Sequence, residues 1–175
     1  MKQIFYALLI SAAVLTTGCN KNGGYPKGEG SVNWNGEQWK AKNIHGYISN
    51  FDDNCFDLQL VFESYSDHNN SLYLQNIRRQ YGRQRFQSSV SGIVTASYHS
   101  REEYDVLGDA YKVFEADSLN NWVEITEANS DITKEIKGRF NITMLRYKKF
   151  PNSPFPDTVR FTNGSFYISK LAEID

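Results

Sequence analysis

Apolar and polar residues alternate along most of the chain. In residues 56–63, Phe56, Leu58, Leu60 and Phe62 alternate with Asp57, Gln59, Val61 and Glu63. Residues 71–77 set Leu72, Leu74 and Asn76 against Tyr73, Gln75 and Ile77, and residues 92–98 set Ile93, Thr95 and Ser97 against Val94, Ala96 and Tyr98. Val123 and Ile125 oppose Trp122, Glu124 and Thr126. Phe140, Ile142 and Met144 oppose Arg139, Asn141 and Thr143. A period of two with one apolar face predicts antiparallel strands covered on one side only.

Turn chemistry separates these runs. Asn35-Gly36 lies between Trp34 and Glu37-Gln38-Trp39 and predicts a two-residue hairpin, because a type I′ turn needs positive φ at both central residues. Asn163-Gly164, between Phe161 and Phe166, predicts a second hairpin, with a bulge inside one longer strand as the competing reading. Ser100 with Glu103 forms a capping box and predicts one helical turn. Residues 148–157 hold three of the four prolines and read as a loop. Eight to ten short strands, no recurring unit and no second domain predict one all-β domain, an antiparallel sandwich or a closed barrel with little helix.

The first residues are of another kind. Lys2 precedes an apolar run from Ile4 to Leu15, and about a dozen residues is too short to span a bilayer, which needs about 20. A basic start, a short apolar middle and small residues after it mark a secretory signal. Residues 15–20, "LTTGCN", resemble the lipobox of bacterial lipoproteins: Thr17, Gly18 and Cys19 match, while Thr16 stands where the aliphatic residue usually does and Leu15 lies one place earlier. The resemblance implies cleavage before Cys19, a diacylglyceryl thioether on its sulfur and a further acyl chain on its new amino group. Each buried methylene contributes about 0.8 kcal/mol, so two or three chains anchor stably where one does not. The division expected is a signal peptide at 1–18, a Gly- and Asn-rich tether at 19–30 and a β domain at 31–175, on the periplasmic or surface face of an outer membrane. Residues 20–30 lack the acidic run that some surface-exported lipoproteins of the Bacteroidota carry after the cysteine.

The chain has 175 residues and a formal net charge of −1, which removal of the signal makes one unit more negative through loss of Lys2. Such a balance produces no global field for nucleic acid. Eleven Tyr, eleven Phe and three Trp suit a pleated, half-buried surface. Of the two cysteines, a lipidated Cys19 leaves Cys55 without a partner, and Cys55 beside Phe56 reads as a small buried thiol.

Three stretches together, the hairpin around residues 32–41, residues 136–144 and residues 159–168, resemble small Bacteroidota envelope lipoproteins of unknown function. That resemblance implies a barrel-like or lipocalin-like β domain and no particular activity.

Candidate chemistry is sparse. His45, His68 and His99 are far apart and show no metal-ligand spacing. Asp52, Asp53 and Asp57, with Asn50 and Asn54, form an oxygen-rich stretch that calcium would favour, but the spacing is not that of an EF-hand and Asx-rich turns join strands commonly. No cofactor is expected. The acid pairs Glu102-Glu103 and Glu124 with Glu127 read as charged strand faces, and no nucleophile elbow or phosphate-cradling loop is present. Arg78, Arg79, Arg83 and Arg85 around Tyr81 form a basic, aromatic surface for an anionic glycan, a lipid headgroup or an envelope protein; export argues against nucleic acid. Trp34, Trp39 and Trp122 are candidates for a sugar-stacking platform. "DSL" at 117–119 and "DTV" at 157–159 resemble O-glycosylation sites of Bacteroidota envelope proteins. The leading expectation is a non-enzymatic, lipid-anchored binding or structural module. The alternatives are a lipocalin-like carrier of a small apolar ligand and a glycan-acting enzyme. A filled core with an exposed patch favours the module, an apolar cavity the carrier, and two opposed carboxylates the enzyme.

Overall fold

Ten strands and a single 3-10 turn account for the secondary structure of this computed structural model, which describes residues 28–50, 52–63, 69–88, 93–103, 106–128 and 135–172. The lipobox, Cys19 and His68 lie outside the described residues, as do the side chains of Glu102 and Glu103. The strands are β1 (Gly28–Trp34), β2 (Glu37–Ile48), β3 (Cys55–Glu63), β4 (Asn69–Arg78), β5 (Gly82–Arg85), β6 (Thr95–Glu103), β7 (Val106–Val113), β8 (Trp122–Ala128), β9 (Ile136–Lys148) and β10 (Thr158–Ile168). All ladders are antiparallel, and the ring β10-β1-β2-β3-β4-β6-β7-β9 closes on itself through β9 and β10. The domain is a closed eight-stranded barrel, with β8 and β5 as extra strands beside β9.

β9 explains the extra pair. One edge runs along β10 for most of its length. The other edge is shared: residues 144–148 pair with β7, and residues 136–141 pair with β8. Asn121, fully buried, stitches the seam between the two. Its Nδ2 donates to the Phe114 carbonyl at 2.8 Å, and its Oδ1 accepts the Thr143 N–H at 2.7 Å. β5 adds to β8 and is joined to β4 by a side chain: Gln84 Oε1 accepts the Arg78 N–H at 2.9 Å, and Gln84 Nε2 donates to the Arg78 carbonyl at 2.8 Å. The amide copies the donor–acceptor pair that a neighbouring strand would present.

The barrel axis is filled by Phe56, Leu58, Leu60, Phe62, Leu72, Leu74, Tyr98, Tyr111, Phe140 and Phe161, each at most 1% exposed. Two glycine–phenylalanine pairs face each other across β9 and β10, Gly138 with Phe166 and Gly164 with Phe140. A Cβ on Gly138 would come within 2.4 Å of the Phe166 ring, and one on Gly164 within 2.5 Å of the Phe140 ring. Each ring lies over the bare backbone of the facing strand, a device that lets a strongly curved sheet pack without voids.

The structure corrects the sequence reading at four places. Gly28–Gly30, expected in the tether, are the first residues of β1; a Cβ on Gly30 would meet Ile44 Cδ1 at 2.5 Å, so this glycine serves close packing. The capping box at Ser100 opens no helix, because β6 runs through to Glu103 between β4 and β7. Asn163-Gly164 is a bulge inside β10, with Asn163 at φ 53° and two residues opposite one between Phe161 and Gly164. The extra residue lets Phe161 and Phe166, odd and even in number, both point inward. Asn76, at φ 58°, does the same in β4: it brings Ile77 inside, against the simple alternation. Asparagine tolerates this left-handed backbone better than most residues.

Candidate functional site

A group of packed aromatic side chains lies at the end of the barrel formed by the β1–β2 hairpin. Asn35 and Gly36 have φ of 49° and 97°, so the hairpin turn has the expected positive-φ pair. Asn35 also fixes the hairpin to β10: its N–H donates to the Arg160 carbonyl at 2.9 Å, and its Oδ1 accepts the Arg160 N–H at 2.8 Å. On the inner side, Trp34 and Trp39 stack with centroids 4.4 Å apart. Trp39 leans on Phe62 at 5.6 Å, and Trp34 meets the edge of Phe155 at 5.9 Å. Trp34 pairs across the sheet with Phe161, Phe161 packs on Tyr98 at 5.1 Å, and Tyr98 packs on Tyr111 at 5.3 Å. Phe62 faces Asn70 across β3 and β4, and Leu72, next inward on β4, faces Tyr98. These contacts form a collar around the barrel interior.

Phe155 belongs to the proline-rich loop at 149–157, which a buried polar cluster pins over the collar. Asp109 is fully buried. Its Oδ1 accepts the Phe150 N–H at 2.7 Å, and its Oδ2 accepts from Ser153 Oγ and from Arg146 Nη1 at 3.2 Å. Arg146 also donates to the Phe155 carbonyl at 2.8 Å and to Asp157. Burial alone would lower the Arg146 pKa, but hydrogen bonds to Asp157 and Asp109 outweigh it and raise the value. Tyr111 donates to the Pro156 carbonyl at 2.8 Å, and burial pushes its phenol up to about 12.

Three polar groups in the collar have no hydrogen-bond partner: both side-chain atoms of Asn70, the Tyr98 hydroxyl and Trp34 Nε1. Asn70 and Tyr98 are fully buried. Burial raises the Tyr98 pKa, so the hydroxyl keeps its proton. An unpaired buried donor or acceptor costs about 1–3 kcal/mol, and native structures hold few of them. Each of these four atoms is one that a bound water or a guest would satisfy.

The chain matches no protein-family model, no curated protein and no solved structure. Its chemistry therefore has to be read from its own residues.

The structure separates the three tryptophans. Trp34 and Trp39 share the collar, whereas Trp122 lies on β8 with the Arg83 guanidinium 4.0 Å above its ring. The basic stretch is partly neutralised. Arg83 lies 3.5 Å from Glu124, which also holds Arg139 at 3.2 Å, and Glu127 is paired with Lys137 at 2.7 Å. Tyr81 is 67% exposed and its hydroxyl donates to the Ala128 carbonyl. Arg78 and Arg85 line an outer groove of about 310 Å³ with Gln80, Gln84 and Gln87, at the place where Gln84 bridges β4 and β5. Arg79 is half-buried at the β4 end.

The oxygen-rich stretch does not assemble. Asp52 accepts the Asn54 N–H at 2.8 Å in a local turn, and this hydrogen bond lowers its pKa. Asp57 instead accepts the Asn76 N–H at 2.8 Å, and burial raises its pKa. Asp53 is exposed. Among the described residues no three His, Cys, Asp or Glu side chains group as a metal site would. Cys55 is a buried thiol without a disulfide, with its pKa raised by burial. His45 stacks on Tyr47 and His99 meets the edge of Tyr73. Of the two glycosylation-like tripeptides, Ser118 is exposed in a turn, whereas Thr158 is half-buried at the start of β10.

Sequence reasoning missed Asn70, Tyr98, Asp109 and Phe155 as members of one cluster. Asn70 left a trace: it falls in phase with Leu72 and Leu74, a polar side chain at a core position.

Proposed function

We propose that this chain is a non-enzymatic binding module, tethered to the outer membrane by lipid on Cys19, whose barrel takes a small ligand at its tryptophan-lined mouth. The observation that carries the reading is the set of buried polar atoms without a hydrogen-bond partner on Asn70, Tyr98 and Trp34, together with the Trp34–Trp39 stack. A barrel of about eight strands has an interior suited to side chains or to one small ligand. Here side chains fill the axis, which fits a packed module; the unpartnered polar atoms are the observation that favours a small ligand at this end. Asp109, the fully buried acid beside the collar, accepts three hydrogen bonds to hold the loop, so its supported role is structural.

Two measurements test the proposal. Cells producing the chain incorporate labelled palmitate, and the Cys19→Ser variant does not; equal labelling of both removes the anchor. Trp34 and Trp39 report on the mouth, so a screen of small neutral molecules changes tryptophan fluorescence in the native protein and not in a Trp34→Phe/Trp39→Phe variant. A screen without any such hit removes the carrier reading.

A further inference from the structure

The basic stretch has no part in the collar, and the structure sorts its four arginines. Arg83 is held between Glu124, at 3.5 Å, and the Trp122 ring. Arg79 is half-buried. Arg78 and Arg85 are exposed and line one groove of about 310 Å³ on the outside of the barrel. It lies towards the end where β4 stops and β1 begins, away from the β1–β2 hairpin. We propose that this groove binds the phosphate monoester of a sugar, with Arg78 and Arg85 on the phosphate and Gln80 and Gln87 on the ring hydroxyls. Among the described residues neither Arg78 nor Arg85 forms an ion pair. Asp52, whose pKa is lowered mainly by the Asn54 N–H and only slightly by Arg78, stays bound in its own turn. Two unanswered guanidinium charges match a phosphate monoester, which carries about −1.5 to −2 at pH 7 and three acceptor oxygens. Both planar forks can pair with it at once, whereas a carboxylate, with one charge and two oxygens, satisfies only one.

The frame of the groove is fixed by hydrogen bonds that leave its functional side chains unused. Gln84 locks β5 to the Arg78 backbone through both atoms of its amide, at 2.9 and 2.8 Å. The Gln87 N–H donates to the Val94 carbonyl at 2.9 Å, and Asn76 Nδ2 donates to the Ile93 carbonyl at 3.3 Å. Gln80 and Gln87 are exposed, and among the described residues their side-chain amides make no hydrogen bond. Each amide offers donors and an acceptor, the pattern that hydroxyl groups require. The apolar part of the lining is aliphatic, Ile93 and Val94, both half-buried. It suits the C–H face of a sugar, and the lining holds no aromatic ring on which a nucleobase would stack. The volume is at the small end of ligand pockets, which run from about 300 to 1,000 Å³, and suits a single sugar unit.

The test is calorimetric titration of the full chain in a non-ionic detergent with glucose 6-phosphate, glucose, glucuronate and inorganic phosphate, and with lipid A dissolved in the same micelles. Glucose 6-phosphate binds at least about tenfold more tightly than glucose, through its charge-assisted hydrogen bonds, and more tightly than glucuronate or inorganic phosphate. Arg78→Gln and Arg85→Gln each weaken that binding at least about tenfold. Arg83→Gln, which removes a charge already answered by Glu124, leaves it unchanged. Should a glutamine variant fail to fold, Arg78→Lys and Arg85→Lys keep the charge, lose the fork and show a smaller loss. Tighter binding of lipid A than of glucose 6-phosphate identifies a glycolipid headgroup as the source of the phosphate; the reverse identifies a soluble sugar phosphate. Glucose binding as well as glucose 6-phosphate, or an equal loss in all three glutamine variants, shows a diffuse positive surface and overturns the site. Equal binding of glucuronate overturns the phosphate, and equal binding of inorganic phosphate overturns the sugar. No binding of any probe overturns the inference and leaves the collar, at the other end of the barrel, to its own fluorescence test.

Discussion

Gly164→Ala adds one methyl group at a place where the barrel has no room for it. The new Cβ would lie 2.5, 2.6 and 2.6 Å from three atoms of the Phe140 ring, against an ordinary carbon–carbon contact of about 3.5 Å or more. Phe140 is fully buried, so its ring can retreat only by displacing other core side chains. Overpacking of this kind costs about 1–3 kcal/mol. The backbone of Gly164 lies outside the left-handed region, so alanine recovers about 0.4–1 kcal/mol through the unfolded chain, and the net loss is about 1–2 kcal/mol. In urea, with a slope of about 1–3 kcal/mol per molar, the midpoint falls by about 0.5–1.5 M. Phe140→Leu alone also destabilises, by about 1–2 kcal/mol, through lost burial. The decisive measurement is the double variant. If the methyl collides with the ring, shortening the ring relieves the collision, and the double variant is more stable than the sum of the singles by about 1 kcal/mol. Additivity within about 0.5 kcal/mol refutes the argument that Phe140 lies over bare backbone.

Other outcomes follow from the same reasoning. Asp109→Ala leaves Arg146 without its buried partner and frees the loop at 149–157, costing about 3–5 kcal/mol by chemical denaturation; a loss under 1 kcal/mol would show that the cluster does not hold the loop. Burial raises the Asp57 pKa, so the folded state favours the protonated acid, and its contribution is most favourable below the ordinary aspartate value and is lost as pH rises through the folded value. Asp57→Asn keeps an oxygen for the Asn76 N–H and therefore raises the urea midpoint at pH 7, with a gain that shrinks on acidification; a gain independent of pH would exclude the ionisation. Gly36→Ala costs about 1–2 kcal/mol for a side chain at φ 97°. No atom lies near its Cβ, so a neutral result would show that the hairpin turn had changed type.

The sequence by itself determined the class of the fold, because alternation with period two has one economical outcome, a sheet with one buried face. Residues 56–63 and 139–144 show this directly: their alternating apolar residues line the interior of β3 and β9. It also determined the first hairpin, where Asn35-Gly36 dictates a local backbone. The second Asn-Gly was ambiguous, since the same left-handed residue serves a turn or a bulge; the ladder partners on β9 and β1 decide it. Closure was not legible either. That β9 shares one edge between β7 and β8, and that Gln84 stands in for a strand beside β4, depends on contacts between residues far apart in the chain. The same holds for the collar. Trp34, Phe62, Asn70, Tyr98 and Phe155 carry no common local signal, because they stand on β1, β3, β4, β6 and the loop after β9, segments that only the closed sheet relates to one another.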